Sequence, residues 1–536
     1  MTKGALLPLL LGVVFGIGML ARSTFVQTEH VAVYHDELWN LPAAVGLLEQ
    51  DRLVPEQEVR VFGLRLPLVT GPYQGAIKSY LAAPVLALFG GAPWVLRGGN
   101  LGLAIVYLLS LFWALRAATG PRVAAAVFLL PLLDPNFLLF VPTDQGPFLL
   151  QNTLLAVAIG AVLRAYASRQ RGHLLLAMVA ASAALADKLT GAPCVAALMV
   201  TAAWWLWPAL RHELGSRRGA ALAALTALPL LPTAIYFARN GLGPLRQMTG
   251  IESAATAPYL QRWWENAREL VRQVGDPYMA RALTETRFDG GGLSWFVVVG
   301  LLVWGAALVL AAWPGRREPA RERGLFLPLL LLVTFCAFTA VPGLQRPWHF
   351  LMLQPVLVLA VFASADRLLR RFAALRLLRP IAALVLVAVA GQGAWIGLRA
   401  TQHLAGNRGV NLGSTSLYDV LEFLHGRGCS RVVGLSYSIA NPLYVLSMGR
   451  IEPIDAAFGD FSAAATPALL QQLQVSGTCL VHRRCCATAQ TKGEHLAWLN
   501  AGSDWAQAQL ALGDPGLKHW EVTDPRGTSF GVLWRE

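Results

Sequence analysis

Apolar stretches of close to twenty residues recur through the first three quarters of this chain, and nothing else in it constrains the fold as strongly. Crossing the hydrocarbon core of a bilayer takes about 20 residues of helix. Read in order, such stretches fall at about residues 4–22, 97–115, 122–141, 148–163, 173–186, 191–208, 219–238, 294–313, 325–341, 350–365 and 380–398, which predicts about eleven transmembrane helices. The turns between them test the count. Arg116 and Arg122, then Arg164, Arg169 and Arg171, then Arg211, Arg217 and Arg218, then Arg316 to Arg323, then Arg367 to Arg379 all fall on the side of the amino terminus. That is the cytoplasmic bias of positive charge in short loops. The stretch 23–74, the Asp144 loop, Lys188, the loop 239–293, Arg346 and the tail fall on the other side. Residues 75–90 are apolar but too short to cross and carry Lys78. They read as a surface segment, and counting them as a span would break the agreement.

Composition agrees. Hydrophobic residues make up 55% of the 536 and charged residues only 14%, a balance foreign to a soluble protein of this length. The formal charge of +13 does not indicate nucleic acid, because most of the arginines lie in the short turns. The first apolar segment, Leu6 to Leu20, is followed by Ala21-Arg22-Ser23 rather than a small-x-small cleavage site. It reads as an uncleaved first helix. The reading is therefore a multi-pass protein of the plasma (inner) membrane, with its long loops and carboxyl tail extracytoplasmic. In the loop 239–293, the amphipathic run Gln261 to Val274 carries Trp263 and Trp264 as interface anchors.

Beyond residue 400 the pattern changes. Short apolar runs (Arg431 to Leu435, Thr478 to Val481, Phe530 to Trp534) alternate with helix-like segments (Ser416 to His425, Pro467 to Gln474). This predicts a membrane domain over 1–399 and an α/β domain over 400–536. Four of the six cysteines lie in the tail: Cys429, Cys479, Cys485 and Cys486. They are either disulfide-bonded, with three full pairings open, or buried free thiols.

Chemistry gathers on the outer side. Tyr34-His35-Asp36-Glu37-Leu38-Trp39-Asn40 follows the first helix. Adjacent carboxylates there can act as a general base on an acceptor, orient that acceptor, or hold a divalent metal with a histidine. The plain alternative is a helix start, with acids near the positive end of the dipole. Lys78, Lys188, Arg346 and His349 share that side, and snorkelling to headgroups is the plain reading of a single such cation. Three basic groups and three carboxylates on one face favour a site, and a lipid-linked phosphate suits Lys or Arg.

The layout resembles the GT-C glycosyltransferases that use polyprenyl-phosphate sugars, such as protein O-mannosyltransferases and the lipid A aminoarabinose transferase. The residues that carry the resemblance are the acidic motif His35-Asp36-Glu37, the surface segment closing in Leu88-Phe89-Gly90 and the span opening Arg97-Gly98-Gly99-Asn100. To these are added the outer loop Thr143-Asp144-Gln145, the turn Asp187-Lys188-Leu189-Thr190-Gly191 and the turn Gln345-Arg346-Pro347-Trp348-His349. The resemblance covers about residues 1–365 and not the tail. Where many members carry His-Pro-Pro or Lys-Pro-Pro before the surface helix, this chain has Gly71-Pro72-Tyr73-Gln74-Gly75, which leaves the donor sugar open.

The resemblance implies an inverting transfer from a polyprenyl-phosphate sugar to a lipid, glycan or protein acceptor. Asp36, with Glu37, is the expected catalytic group. His35, Tyr73, Lys78, Asp144, Lys188, Arg346 and His349 are expected to bind substrate. No metal site is assigned, although Asp36, Glu37 and Asp144 are candidate ligands for a divalent cation. The alternative is a transporter or flippase of a lipid-linked saccharide, which would place charge near the middle of the spans. These spans are nearly free of it.

Overall fold

The computed structural model describes residues 6–33, 35–49, 57–71, 73–144, 148–168, 170–214, 217–243, 258–275, 299–306, 319–341, 347–372, 374, 377–407, 414–436, 438–457, 460–462, 464–484, 494–525 and 527–536. Among these, six helices are long and apolar enough to cross a membrane: Leu10–His30, Pro93–Ala118, Leu149–Ser168, Leu189–Trp207, His349–Arg371 and Leu378–Gly406. The pair Pro121–Leu133 and Pro135–Thr143, bent by 77°, makes a seventh if it is one span. The bend has a local cause. Asp134 precedes Pro135 and is held extended (φ −126°, ψ 97°) while its side chain caps the next helix at Asn136 N.

Among the described residues, six or seven of the eleven expected spans meet that length and apolarity; the other four are shorter, interrupted or partly outside the described residues. The stretch 219–238 is interrupted by the 3-10 turn Leu228–Leu230, with Pro229 inside it. The stretch 173–186 is the 17-residue helix Arg171–Asp187. The stretch 325–341 is the shorter apolar part of the helix Pro319–Ala340. The stretch 294–313 lies mostly outside the described residues. The segment 75–90 contains the 13-residue helix Ile77–Phe89. At 1.5 Å per residue it reaches about 20 Å, short of the ~30 Å core.

The long helices pack through small residues and satisfied polar groups. At Gly160 a Cβ would come within 2.5 Å of the Trp113 ring, so glycine lets Leu149–Ser168 lie close against Pro93–Ala118. In the first helix, Ser23 Oγ and Gln27 Nε2 donate to the Leu138 and Leu139 carbonyls, groups that lipid could not satisfy. The amphipathic run forms the helix Tyr259–Gly275, with Trp263 edge-on to Phe335 and Trp264 exposed.

Between the first helix and Ile77–Phe89 lie the short helices His35–Leu38 and Leu41–Leu48. They are followed by an antiparallel sheet of β1 (Gln57–Val61), β2 (Leu64–Gly71) and β3 (Gln74–Gly75).

The tail holds a five-stranded sheet ordered β5-β4-β6-β8-β7. Its strands are β4 (Arg431–Gly434), β5 (Glu452–Asp455), β6 (Thr478–Arg484), β7 (Leu517–Thr523) and β8 (Ser529–Arg535). β4 runs parallel to β5 and β6, and β8 is antiparallel to β6 and β7. The expected helices appear as Ser416–Arg427 and Thr466–Gln472. The last apolar helix extends to Asn407, past the division expected at 399–400. Cys429 is bonded to Cys479, which excludes the two full pairings that would separate them. Cys485 and Cys486 lie outside the described residues.

The tail sits on the segment that follows the first helix. Ala32 joins the tail's core beside Leu417, Val420 and Leu443. Val33 N donates to the Tyr418 hydroxyl at 3.2 Å. Tyr444 and Val445 pack with Leu38, Leu41 and Val45.

Candidate active site

The acidic motif stands on the four-residue helix His35–Leu38. The side chains of His35 and Asp36 lie outside the described part, as does Arg346. Glu37 is buried and points inward, where Arg97 Nε and Nη2 donate to its two carboxylate oxygens at 2.8 and 2.9 Å. Arg97 is wholly buried near the start of its helix. It also donates to the carbonyls of Gln27, Val31 and Ala32. One guanidinium therefore ties the end of the first helix to the segment carrying Asp36. Above it, burial pushes the Tyr418 phenol up to about 12, against the opposing charge of Arg97, so it stays protonated.

Lys78 and Asp144 form a second buried pair, Nζ to Oδ2 at 2.6 Å. Asp144 adopts a left-handed conformation (φ 40°, ψ 47°) at the end of Pro135–Thr143, which aspartate tolerates better than most residues. Its Oδ1 accepts from Phe148 N and Leu149 N, both at 2.9 Å. It thus starts the next helix and fixes Lys78 at once.

Lys188 is buried, with its ammonium 3.7 Å from the Phe148 ring centroid and 5.9 Å from that of Tyr73. Tyr73 O accepts from Leu189 N at 2.8 Å, and Gln74 bridges Lys188 in antiparallel fashion. Gly75 is required here, since a Cβ would lie 2.1 Å from Ala186 O. Tyr73 packs on Trp39, and His349 meets Phe148 edge-on.

Tyr73, Lys78, Asp144, Lys188 and His349 are therefore gathered where Ile77–Phe89, Leu149–Ser168 and Arg171–Asp187 converge. Beside them, a cleft of about 140 Å³ opens between Ile77–Phe89 and Pro93–Ala118. Its walls are apolar (Leu81, Val85, Leu86, Leu96, Leu103), and it also touches Glu37 and Lys78. Its apolar lining, with the Lys78 ammonium at one edge, has the chemistry to match an alkyl chain with an anionic end.

Three residues of the site were given no role from sequence. Arg97 was signalled by an arginine in the first turns of an apolar helix. Asp187, buried beside Lys188 with Oδ1 lacking a hydrogen-bond partner among the described residues, was signalled by its place in the same turn. Gln74, whose buried amide also lacks a partner among the described residues, gave no sign. Among the described residues no group of three or more His, Cys, Asp or Glu could hold a metal ion. Of the candidate metal ligands, Glu37 and Asp144 are engaged by Arg97 and Lys78.

Fold and site together define a multi-pass membrane protein with an α/β tail docked over a cluster of buried charges. ArnT from Cupriavidus metallidurans bound to undecaprenyl phosphate superposes on it with a TM-score of 0.58 at 15% identity, covering 97% of each chain. The Archaeoglobus fulgidus oligosaccharyltransferase was solved in the apo form and, as AglB, with an inhibitory peptide and a dolichol-phosphate. The two structures cover 96% of this chain and 74% of that one, with TM-scores of 0.44 and 0.46 at 14% and 13% identity. No protein-family model and no curated protein matches. The likeness to ArnT shows a shared fold, and it runs over the tail, which the sequence resemblance left out.

Proposed function

We propose that this protein is a membrane glycosyltransferase. It moves a sugar from a polyprenyl-phosphate donor to an acceptor on the extracytoplasmic face, with inversion at the anomeric carbon. The observation that carries the reading is the buried Lys78, braced by Asp144, at an apolar cleft. The polyprenyl tail lies in the cleft and the phosphate meets Lys78 and Lys188. The ArnT structure was solved bound to undecaprenyl phosphate, a ligand of that chemistry. The Cys429–Cys479 disulfide supports an oxidising compartment for the tail, and the Asp36 segment packs beneath that tail.

Asp36 takes the proton from the acceptor hydroxyl or amine. The freed lone pair attacks the anomeric carbon, the bond from that carbon to the phosphate oxygen breaks, and its electron pair leaves with the lipid phosphate. Lys78 and Lys188 stabilise the charge that develops there. His349 and Tyr73 line the sugar's surroundings. Glu37 serves as a positioning residue, because its pairing with Arg97 fixes the helix that presents Asp36.

The test is transfer of labelled sugar from native polyprenyl-phosphate donors in membranes, comparing wild type with Asp36→Asn. Loss of a general base costs about 10²–10⁴-fold in rate, so transfer should vanish while expression and insertion stay normal. Undiminished transfer removes Asp36 from the mechanism. Wild-type protein that transfers from no donor tried shifts the weight to transport of the lipid-linked saccharide.

A further inference from the structure

The tail contains a feature the transfer reaction does not use. β4 and β6 are adjacent and parallel, and the helices that follow them lie on opposite faces of the sheet. After β4 comes Ala440–Leu446, whose Leu443 packs with Val432, Val481, Phe530 and Val532. After β6 comes Glu494–Ala511, whose Trp505 and Ala506 pack with Val433, Leu480 and Leu533. Where neighbouring parallel strands send their connections to opposite faces, a crevice opens at their carboxyl ends, and α/β sheets bind ligands there.

Arg483 stands at that place. It pairs with Phe530 across the strands and shares the face of Cys479 and Val481 by alternation. Its backbone is fixed to the end of β4, since Arg483 N donates to Ser436 Oγ at 3.0 Å and Ser436 Oγ donates to Arg483 O at 3.2 Å. The side chain is 1% exposed, and neither Nε nor Nη2 meets an acceptor among the described residues. Those two groups form one edge of the guanidinium, offering parallel N–H bonds to a pair of oxygens. A charge so buried requires an opposite charge.

We infer that the crevice at the carboxyl ends of β4 and β6 is an oxyanion site, in which the Nε–Nη2 edge of Arg483 holds the phosphate group of a soluble or lipid-linked phosphate ester. The Ser436 hydroxyl fixes the backbone that carries this side chain. The site belongs to the tail and is separate from the Lys78 cluster.

The experiment follows the melting temperature of the full-length protein in detergent as inorganic phosphate is titrated against sodium chloride of equal ionic strength. Wild type should gain stability saturably. Arg483→Met should lose that gain yet melt no lower than wild type without phosphate, because an uncompensated buried charge has gone. Arg483→Lys, which keeps charge but lacks the fork, should weaken phosphate binding at least tenfold, and it decides the matter if the methionine variant does not fold. Lys78→Met should keep the phosphate response.

An unchanged response in either Arg483 variant overturns the site, as does its loss in Lys78→Met. A methionine variant that melts far below wild type without phosphate makes Arg483 structural and also overturns it. In the Lys78→Met background, undecaprenyl phosphate in nanodiscs separates the sources. Competition with inorganic phosphate assigns a lipid headgroup, and absence of competition assigns a soluble ester; both uphold the site.

Discussion

The membrane half and the tail each bury an arginine, and the surroundings of the two differ. Arg97 has its Nε–Nη2 edge filled by Glu37 and its remaining donors on carbonyls of the preceding segment. Arg483 is nearly as deeply buried, yet its same edge meets no acceptor among the described residues. One is a fastening made inside the chain. The other is suited to a charge from outside. Burial alone therefore does not tell a structural arginine from a ligand-binding one, and the state of the fork does.

The largest expected effect breaks the fastening. Glu37→Gln or Arg97→Met alone leaves the other charge buried and unmatched, a loss of about 3–5 kcal/mol. The double variant Glu37→Leu/Arg97→Met should melt close to wild type. Equal melting of single and double variants would show that the pair does not hold the first helix to the Asp36 segment. A smaller effect lies in the tail. The Cys429–Cys479 bond closes a separation of 50 residues, and its removal by Cys479→Ser should lower tail stability by roughly 2–4 kcal/mol. Alkylation and mass analysis of the unreduced protein checks that the bond forms.

The smallest effect concerns His482 on the opposite face of β6 from Arg483. Burial, with the charges of His519 and Arg484, pulls its imidazole down to about 4 from the ordinary 6.5. The unfolded chain therefore takes up a proton near pH 6.5, while the folded chain resists until about 4. Stability is full above pH 6.5 and declines toward pH 4. Between pH 7.5 and 5.5 the loss is about 1.3 kcal/mol. His482→Phe should flatten that part of the melting profile, and an unchanged slope would assign the titration elsewhere.

Much of the architecture was legible in local pattern. Apolar length marked the helices Pro93–Ala118, Leu149–Ser168 and Leu378–Gly406, and alternation marked β4, β6 and β8. Shortness marked Ile77–Phe89 as a segment that does not span. Local pattern did not reveal interruptions such as the 3-10 turn Leu228–Leu230, which changes hydropathy little. It missed β5, β7 and the helices Ala440–Leu446 and Glu494–Ala511, whose residues do not alternate or repeat cleanly.

By itself the sequence determined that the chain enters a membrane many times, that its tail is an α/β fold, and that basic and acidic residues gather on one side. Those are properties of windows a few turns long, where hydropathy and periodicity act directly. Tertiary structure alone decided which charges meet. Lys78 reaches Asp144 across 66 positions, Arg97 reaches Glu37 across 60, and Arg483 reaches no carboxylate among the described residues. In a low-dielectric interior a buried charge must find its opposite, but which opposite is set by how helices and strands pack.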